Sequence, residues 1–136
     1  MKRLFNSTAQ SSICIIDQHT GYVKAIVGGR GEKSSSLSLN RATNTLRQPG
    51  STFKPLATYA AALNEGGMTL STTFKDEPFK YDSGQPLYNY DHQYHGTVTM
   101  RTAITKSYNI PAAKAMVEIT PELGVSYLKK FGFTSI

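Results

Sequence analysis

The chain has 136 residues, with 15 Lys and Arg against 9 Asp and Glu, a net charge of +6. A single cysteine excludes an intrachain disulfide, and no apolar run reaches membrane-spanning length. The basic residues are scattered and no aromatic-basic motif accompanies them, so the charge reads as a solvated surface suited to anionic surroundings and not as a nucleic-acid interface.

Met1-Lys2-Arg3-Leu4-Phe5 passes at once into polar residues and makes no signal-peptide pattern. Residues 12–17 and 22–27 are rich in Ile and Val and flank Thr20-Gly21, which predicts a β-hairpin. Cys14 falls inside the first strand and reads as a buried thiol. Residues 28–38, rich in Gly and Ser, read as a flexible loop. A helix is expected from Ser51 through Ala60-Ala61-Ala62-Leu63, stopped at Gly66-Gly67. Residues 69–96 are polar and aromatic with little periodicity and read as long loops. The remainder is helical. Thr97 or Thr99 can cap a helix over 99–106, Pro111 can open one over 112–119, and Thr120-Pro121-Glu122 starts a last helix that ends at Gly132.

Chemistry concentrates in Arg47-Gln48-Pro49-Gly50-Ser51-Thr52-Phe53-Lys54-Pro55. A hydroxyl and an amine three residues apart at a helix start lie on one face, the spacing that Ser/Lys acyl transfer needs. Lysine can take the serine proton only if burial or nearby cations lower its pKa. Alone, the pattern is also that of a serine N-cap beside a solvated lysine. Downstream, Ser107-Tyr108-Asn109 sits between two predicted helices and runs into Ile110-Pro111, which places a hydroxyl and a carboxamide on a sharp turn. Asp91-His92-Gln93-Tyr94-His95 holds potential metal ligands, but without partners at helpful spacing it reads as a solvated loop with no metal. Tyr81, Tyr88, Tyr90 and Tyr94 could line a peptide groove or cover the helical layer, and packing is the more common role for aromatics at such density.

Ser-x-x-Lys followed by Ser-x-Asn is two thirds of a known signature, of which Lys-Thr-Gly is the third part. The chain resembles the front half of the transpeptidase domain of a class A penicillin-binding protein. The resemblance rests on Ile16-Asp17, Thr20-Gly21, Ala25-Ile26-Val27-Gly28-Gly29, Asn40-Arg41-Ala42-Thr43, the block from Arg47 to Pro55, Asn89-Tyr90-Asp91, Gly96 with Val98, Thr99 and Arg101, and Ser107 to Ala112. No Lys-Thr-Gly or Lys-Ser-Gly occurs in the chain.

The resemblance implies an α+β fold: a partial β-lactamase/transpeptidase-like domain over residues 1–136, with an N-terminal hairpin, a helical layer, and the rest of the antiparallel sheet outside this chain. It implies Ser51 as nucleophile, Lys54 as base, Ser107 as proton shuttle, and Asn109 as the group that binds the substrate amide and steadies Lys54. Expected partners are the D-Ala-D-Ala stem peptide of peptidoglycan, β-lactams, and a second chain completing the domain. No cofactor is expected. The expected location is the extracellular face of the cytoplasmic membrane, with a membrane anchor outside this chain. The isolated chain is expected to be nearly inert, its hairpin left with an unpaired edge and an exposed apolar face. The competing reading is a non-catalytic binding or interaction module of the same family.

Overall fold

The computed structural model describes residues 9–33 and 35–136. The leader reading at Met1 to Phe5 lies outside the described residues. The chain divides into two compact units, Met1–Gln48 and Pro49–Ile136.

In the first unit, β1 (Ile13–Ile16) and β2 (Val23–Val27) form the expected antiparallel hairpin. Ile13 faces Val27, Cys14 faces Ile26 and Ile15 faces Ala25, and the register shifts between Ile15 and Ile16. The connection closes through the Gly21 N–H on the Asp17 carbonyl at 2.8 Å, with Gly21 at φ +72°, a left-handed conformation in which glycine pays no Cβ penalty. Both faces of the hairpin are open within this unit: Ile13, Ile15, Ile16, Val23 and Val27 are each more than half exposed. Cys14 is likewise exposed, contrary to the buried thiol expected of it. The apolar run is real, but a two-stranded sheet has nothing to bury it against. The described residues of the Gly/Ser stretch after β2 lack regular structure, and one point among them is tightly fitted: a Cβ on Gly28 would lie 2.5 Å from Asn40 Oδ1.

The second unit is helical with short strand pairs. One continuous helical segment runs from Gly50 to Asn64 and changes winding twice: a 3₁₀ turn over Gly50–Phe53, a π-wound stretch over Lys54–Tyr59, and α1 (Ala60–Asn64). The expected helix is therefore present, but not as one α-helix. Such wide windings often accompany functional sites. Residues 69–96, expected as loops, hold most of the strand structure of this unit. There β3 (Thr73–Asp76) pairs with β6 (Gly96–Thr99), and β4 (Phe79–Lys80) pairs with β5 (Pro86–Leu87). β3 alternates, with Phe74 and Asp76 inward and Thr73 and Lys75 outward.

Three helices follow: α2 (Met100–Lys106), α3 (Asn109–Ile119) and α4 (Pro121–Lys130). Thr99 caps α2 by accepting the Thr102 N–H at 3.2 Å, while Thr97 belongs to β6. α3 starts at Asn109, two residues before the proline expected to open it. Thr120 caps α4 as anticipated, at φ +70°, an uncommon value for a β-branched residue.

The core joins Tyr59, Ala61, Ala62, Phe74, Met100, Ala112, Ala115, Ile119 and Tyr127. Alanines at the helix contacts let the backbones approach closely. Gly124 of α4 extends this: a Cβ there would lie 2.7 Å from the Ala57 carbonyl oxygen and 3.0 Å from the Met116 side chain. Backbone cannot yield as a flexible side chain can. Gly124→Ala is therefore expected to lower stability by about 1–3 kcal/mol despite alanine's better helix propensity, which thermal or urea unfolding will measure. A Gly124→Ala variant as stable as the parent would show that α4 can move off the π-wound segment at no cost.

The four tyrosines between Tyr81 and Tyr94 are all more than two-fifths exposed and are not the packing aromatics expected. The buried aromatics of this unit include Tyr59, Phe74, Tyr108 and Tyr127. Desolvation pushes the Tyr59 hydroxyl up to about 12, which keeps it neutral in the core.

Candidate active site

Ser51 and Lys54 are the second residue of the 3₁₀ turn and the first of the π-wound stretch. Residues three apart on a 3₁₀ turn eclipse one another, so both side chains rise from one face. Ser51 is exposed, and among the described residues its hydroxyl makes no hydrogen bond. Lys54 is half-buried and heavily engaged.

Lys54 Nζ donates to Asn109 Oδ1 at 2.6 Å, to the Ser107 carbonyl at 2.7 Å and to the Tyr108 carbonyl at 3.3 Å, with Ser107 Oγ also at 3.3 Å. These four oxygens more than satisfy the three hydrogens of an ammonium. Burial pushes the Lys54 pKa below the ordinary lysine value of 10.5, and among the described residues no acidic side chain contacts Nζ to hold the charge on it. Lys54 thus shares one hydrogen-bonded cluster with Ser107 and Asn109, the pair that the resemblance assigned to the same site, although they lie more than 50 residues further along the chain. Ser51 stands one turn away with a free hydroxyl.

The turn that meets Lys54 is shaped by its own backbone. Ser107 ends α2 at φ 54°, ψ 38°, a left-handed conformation, and its N–H closes onto Ala103 and Ile104. A non-glycine residue there costs roughly 1–2 kcal/mol. Tyr108 is extended, at φ −61°, ψ 137°, and supplies no side-chain cap to α3. The cap comes from a distant residue: Asn89 Oδ1 accepts the N–H groups of Asn109 at 2.8 Å and of Ile110 at 3.4 Å.

Asn89 belongs to a network that sequence reasoning missed. Its Nδ2 donates to Asp76 Oδ1 and Oδ2 at 2.9 and 2.8 Å and to the Gln93 carbonyl at 2.9 Å. Asp76, 1% exposed, also accepts the His95 N–H at 3.0 Å and faces His95 Nδ1 at 2.7 Å. The other ring nitrogen lies 3.1 Å from Asp91 Oδ2, and the ring stacks on Tyr108 with centroids 4.1 Å apart. The segment read as a solvated loop is therefore tied inward through His95. Among the described residues, no group of three or more His, Cys, Asp and Glu side chains is arranged to hold a metal ion. The available signal was faint: Asp76 shares the inward face of a strand with Phe74, a place where an unpaired carboxylate would be costly.

A cavity of about 310 Å³ in the first unit, lined by Gly28, Gly29, Asn40 and Arg41 among others, contains none of the four predicted residues.

This arrangement can be set beside known proteins. Residues 11–135 match the model of the penicillin binding protein transpeptidase domain. Penicillin-binding protein 1F of Bacillus subtilis is 45% identical over 127 residues, covering 93% of this chain and 17% of that protein. Penicillin-binding protein 1A of Clostridium tetani is 38% identical over 133 residues, with 92% and 17% covered. Among solved structures, penicillin-binding protein 1A from Haemophilus influenzae superposes with a TM-score of 0.74 at 36% identity, over 82% of this chain and 17% of that one. PonA1 from Mycobacterium tuberculosis in complex with penicillin V gives 0.81 at 26% identity, over 99% and 35%. The chain belongs to the penicillin-binding protein transpeptidase family, and its helices and small antiparallel sheets are those of a partial transpeptidase fold. It spans 17% of the length of these curated relatives.

Proposed function

We propose that this chain contributes the nucleophile half of a D,D-transpeptidase site that cross-links peptidoglycan stem peptides and is acylated by β-lactams. The observation that carries the reading is the cluster of Lys54, Ser107 and Asn109, with Asn109 Oδ1 at 2.6 Å from Nζ, one turn from a free serine hydroxyl.

In this mechanism Ser51 Oγ attacks the carbonyl carbon of the penultimate D-alanine, and its proton passes to neutral Lys54. The tetrahedral intermediate collapses as Ser107 relays a proton to the departing D-alanine nitrogen, leaving an ester on Ser51. An acceptor amine then attacks that ester, releases Ser51 and completes the cross-link. Asn109 holds Lys54 and offers its carboxamide to the substrate amide. The Ser51 N–H supplies one oxyanion donor. A second donor and the carboxylate grip would come from a Lys-Thr-Gly strand, which these residues do not contain. That strand would lie on the same polypeptide or on a second chain.

The relevant location would be the outer face of the cytoplasmic membrane. Among the described residues no helix is long and apolar enough to cross a membrane, so an anchor would lie elsewhere in the protein.

Penicillin treatment of the full-length protein followed by peptide mass spectrometry is expected to place the penicilloyl adduct on the peptide containing Ser51, and Ser51→Ala is expected to remove it. An adduct that persists in Ser51→Ala would overturn the assignment. A complete absence of adduct from the parent protein would favour the non-catalytic module.

A further inference from the structure

We propose that Asn89, fixed by the buried Asp76 and His95, is a positioning residue for acylation: it sets the direction in which Asn109 presents Oδ1 to Lys54. The inference rests on the acyl-transfer reading above and adds a residue that takes no part in the chemistry itself.

The argument begins with the flip of one amide. Asn89 is 2% exposed and has polar neighbours on both sides. Its Oδ1 must accept from the N–H groups of Asn109 and Ile110, and its Nδ2 must donate to Asp76 and the Gln93 carbonyl. The opposite flip would set NH₂ against N–H and oxygen against carboxylate. A carboxylate only accepts, so Asp76 dictates the flip. Asp76 is itself held by the N–H and ring of His95, whose other face stacks on Tyr108.

The neighbour of Asn89 completes the grip. The Tyr88 carbonyl accepts Asn109 Nδ2 at 2.8 Å, so residues 88 and 89 hold both the backbone and the side-chain amide of Asn109. With one Nδ2 hydrogen held there, the flip of the amide is set and Oδ1 faces Lys54 Nζ at 2.6 Å. The α3 N-terminus, which has no cap of its own, is seated by Asn89 Oδ1. Every contact from Asp76 to Lys54 is thus a directional hydrogen bond or a ring stack.

The test uses the full-length protein and a fluorescent penicillin, recording both the fraction of protein that labels at saturation and the rate at which that fraction labels. Asn89→Ala is expected to slow the acylation step by about ten- to a hundredfold, the scale of an ångström-sized misplacement. The affinity for penicillin before acylation is expected to stay within about twofold, because a misaimed Asn109 affects the reacting geometry more than docking. Glu77→Gln, at an exposed surface ion pair with Lys114, serves as a control and should label like the parent. A residue of purely structural importance would lower the labelled fraction and leave the rate of that fraction unchanged, and that result would overturn the inference. If Asn89→Ala does not fold, His95→Asn decides by the same measure: it removes the ring stack and ring contact but keeps the His95 backbone N–H on Asp76. A slowed rate there supports the inference and an unchanged rate overturns it. Ser51→Ala, run alongside, keeps the two readings apart. If it still labels, the acyl-transfer reading itself fails and this inference with it; if it is silent while Asn89→Ala labels at full rate, only the positioning role is lost.

Discussion

Lys54→Arg in the full-length protein is expected to abolish labelling by penicillin, with a loss on the order of a thousandfold or more, while the protein remains folded. General-base catalysis contributes about 10²- to 10⁴-fold, and arginine cannot supply it because it does not give up its proton near neutrality. The charge itself is retained, so the positive field at the site does not explain the loss. Geometry suffers as well, since a planar guanidinium cannot place one nitrogen within reach of Asn109 Oδ1 and of the Ser107 and Tyr108 carbonyls as the ammonium does. The pH profile supplies a second readout. Burial lowers the Lys54 pKa, so its neutral form accumulates as pH rises through a value below 10.5. Acylation in the parent should therefore climb with pH and level off before an ordinary lysine would titrate, whereas the arginine variant should stay flat. The sign for stability is the same. A lysine with a lowered folded pKa contributes stability that is complete above 10.5 and is lost as pH falls through the lowered value, because the unfolded chain binds more protons in that window. An arginine variant that labels at the parent rate would mean that some other group takes the serine proton.

The second large effect concerns the 136-residue polypeptide purified by itself. It is expected to self-associate in light scattering and to label with fluorescent penicillin at least about a hundredfold more slowly than the full-length protein, the loss that accompanies one missing oxyanion donor. Ile13, Ile15, Ile16, Val23 and Val27 are more than half exposed on a two-stranded hairpin, and covering each is worth roughly 1 kcal/mol. Unpaired strand edges offer a route to that cover. Ile15→Lys should shift the population toward monomer without restoring labelling, since the two defects are separate. A monodisperse chain that labels stoichiometrically within minutes would show that the site is complete within these residues.

The legible part of the site was legible because its spacing is short. Ser51 and Lys54 are one turn apart, and Ser107 and Asn109 are two residues apart, so each pair can be read without knowing the fold. That the pairs meet was supplied only by resemblance. The hairpin, the helix stop after Asn64 and the caps at Thr99 and Thr120 were equally local and could be placed from residue type. What escaped was what depends on partners distant in sequence. β3 and β6 are four residues each and β4 and β5 two, too short for alternation to register, and β3 meets its partner some twenty residues on. Asp76, Asn89 and His95 look like solvated polar residues in any window, because burial of a polar side chain is decided by its neighbours and not by its type. The change of winding after Phe53 falls where α3 and α4 pack against the segment, a contact between distant parts of the chain that composition does not encode. Cys14 erred in the opposite sense: an apolar run predicts burial only where there is a surface to bury it against.

The oxygens around Lys54 tie the proton inventory of one nitrogen to the seating of a turn more than fifty residues away. An ammonium satisfies Asn109 Oδ1 and the Ser107 and Tyr108 carbonyls together; a neutral amine keeps two hydrogens and gains a lone pair, so one of those oxygens is left over and only the Ser107 hydroxyl, at 3.3 Å, can donate in return. Burial favours loss of the proton while the clasp favours keeping it, and by thermodynamic reciprocity whatever tightens the clasp makes the lysine harder to deprotonate by the same free energy. The site gains its base and slackens its own clasp in a single event.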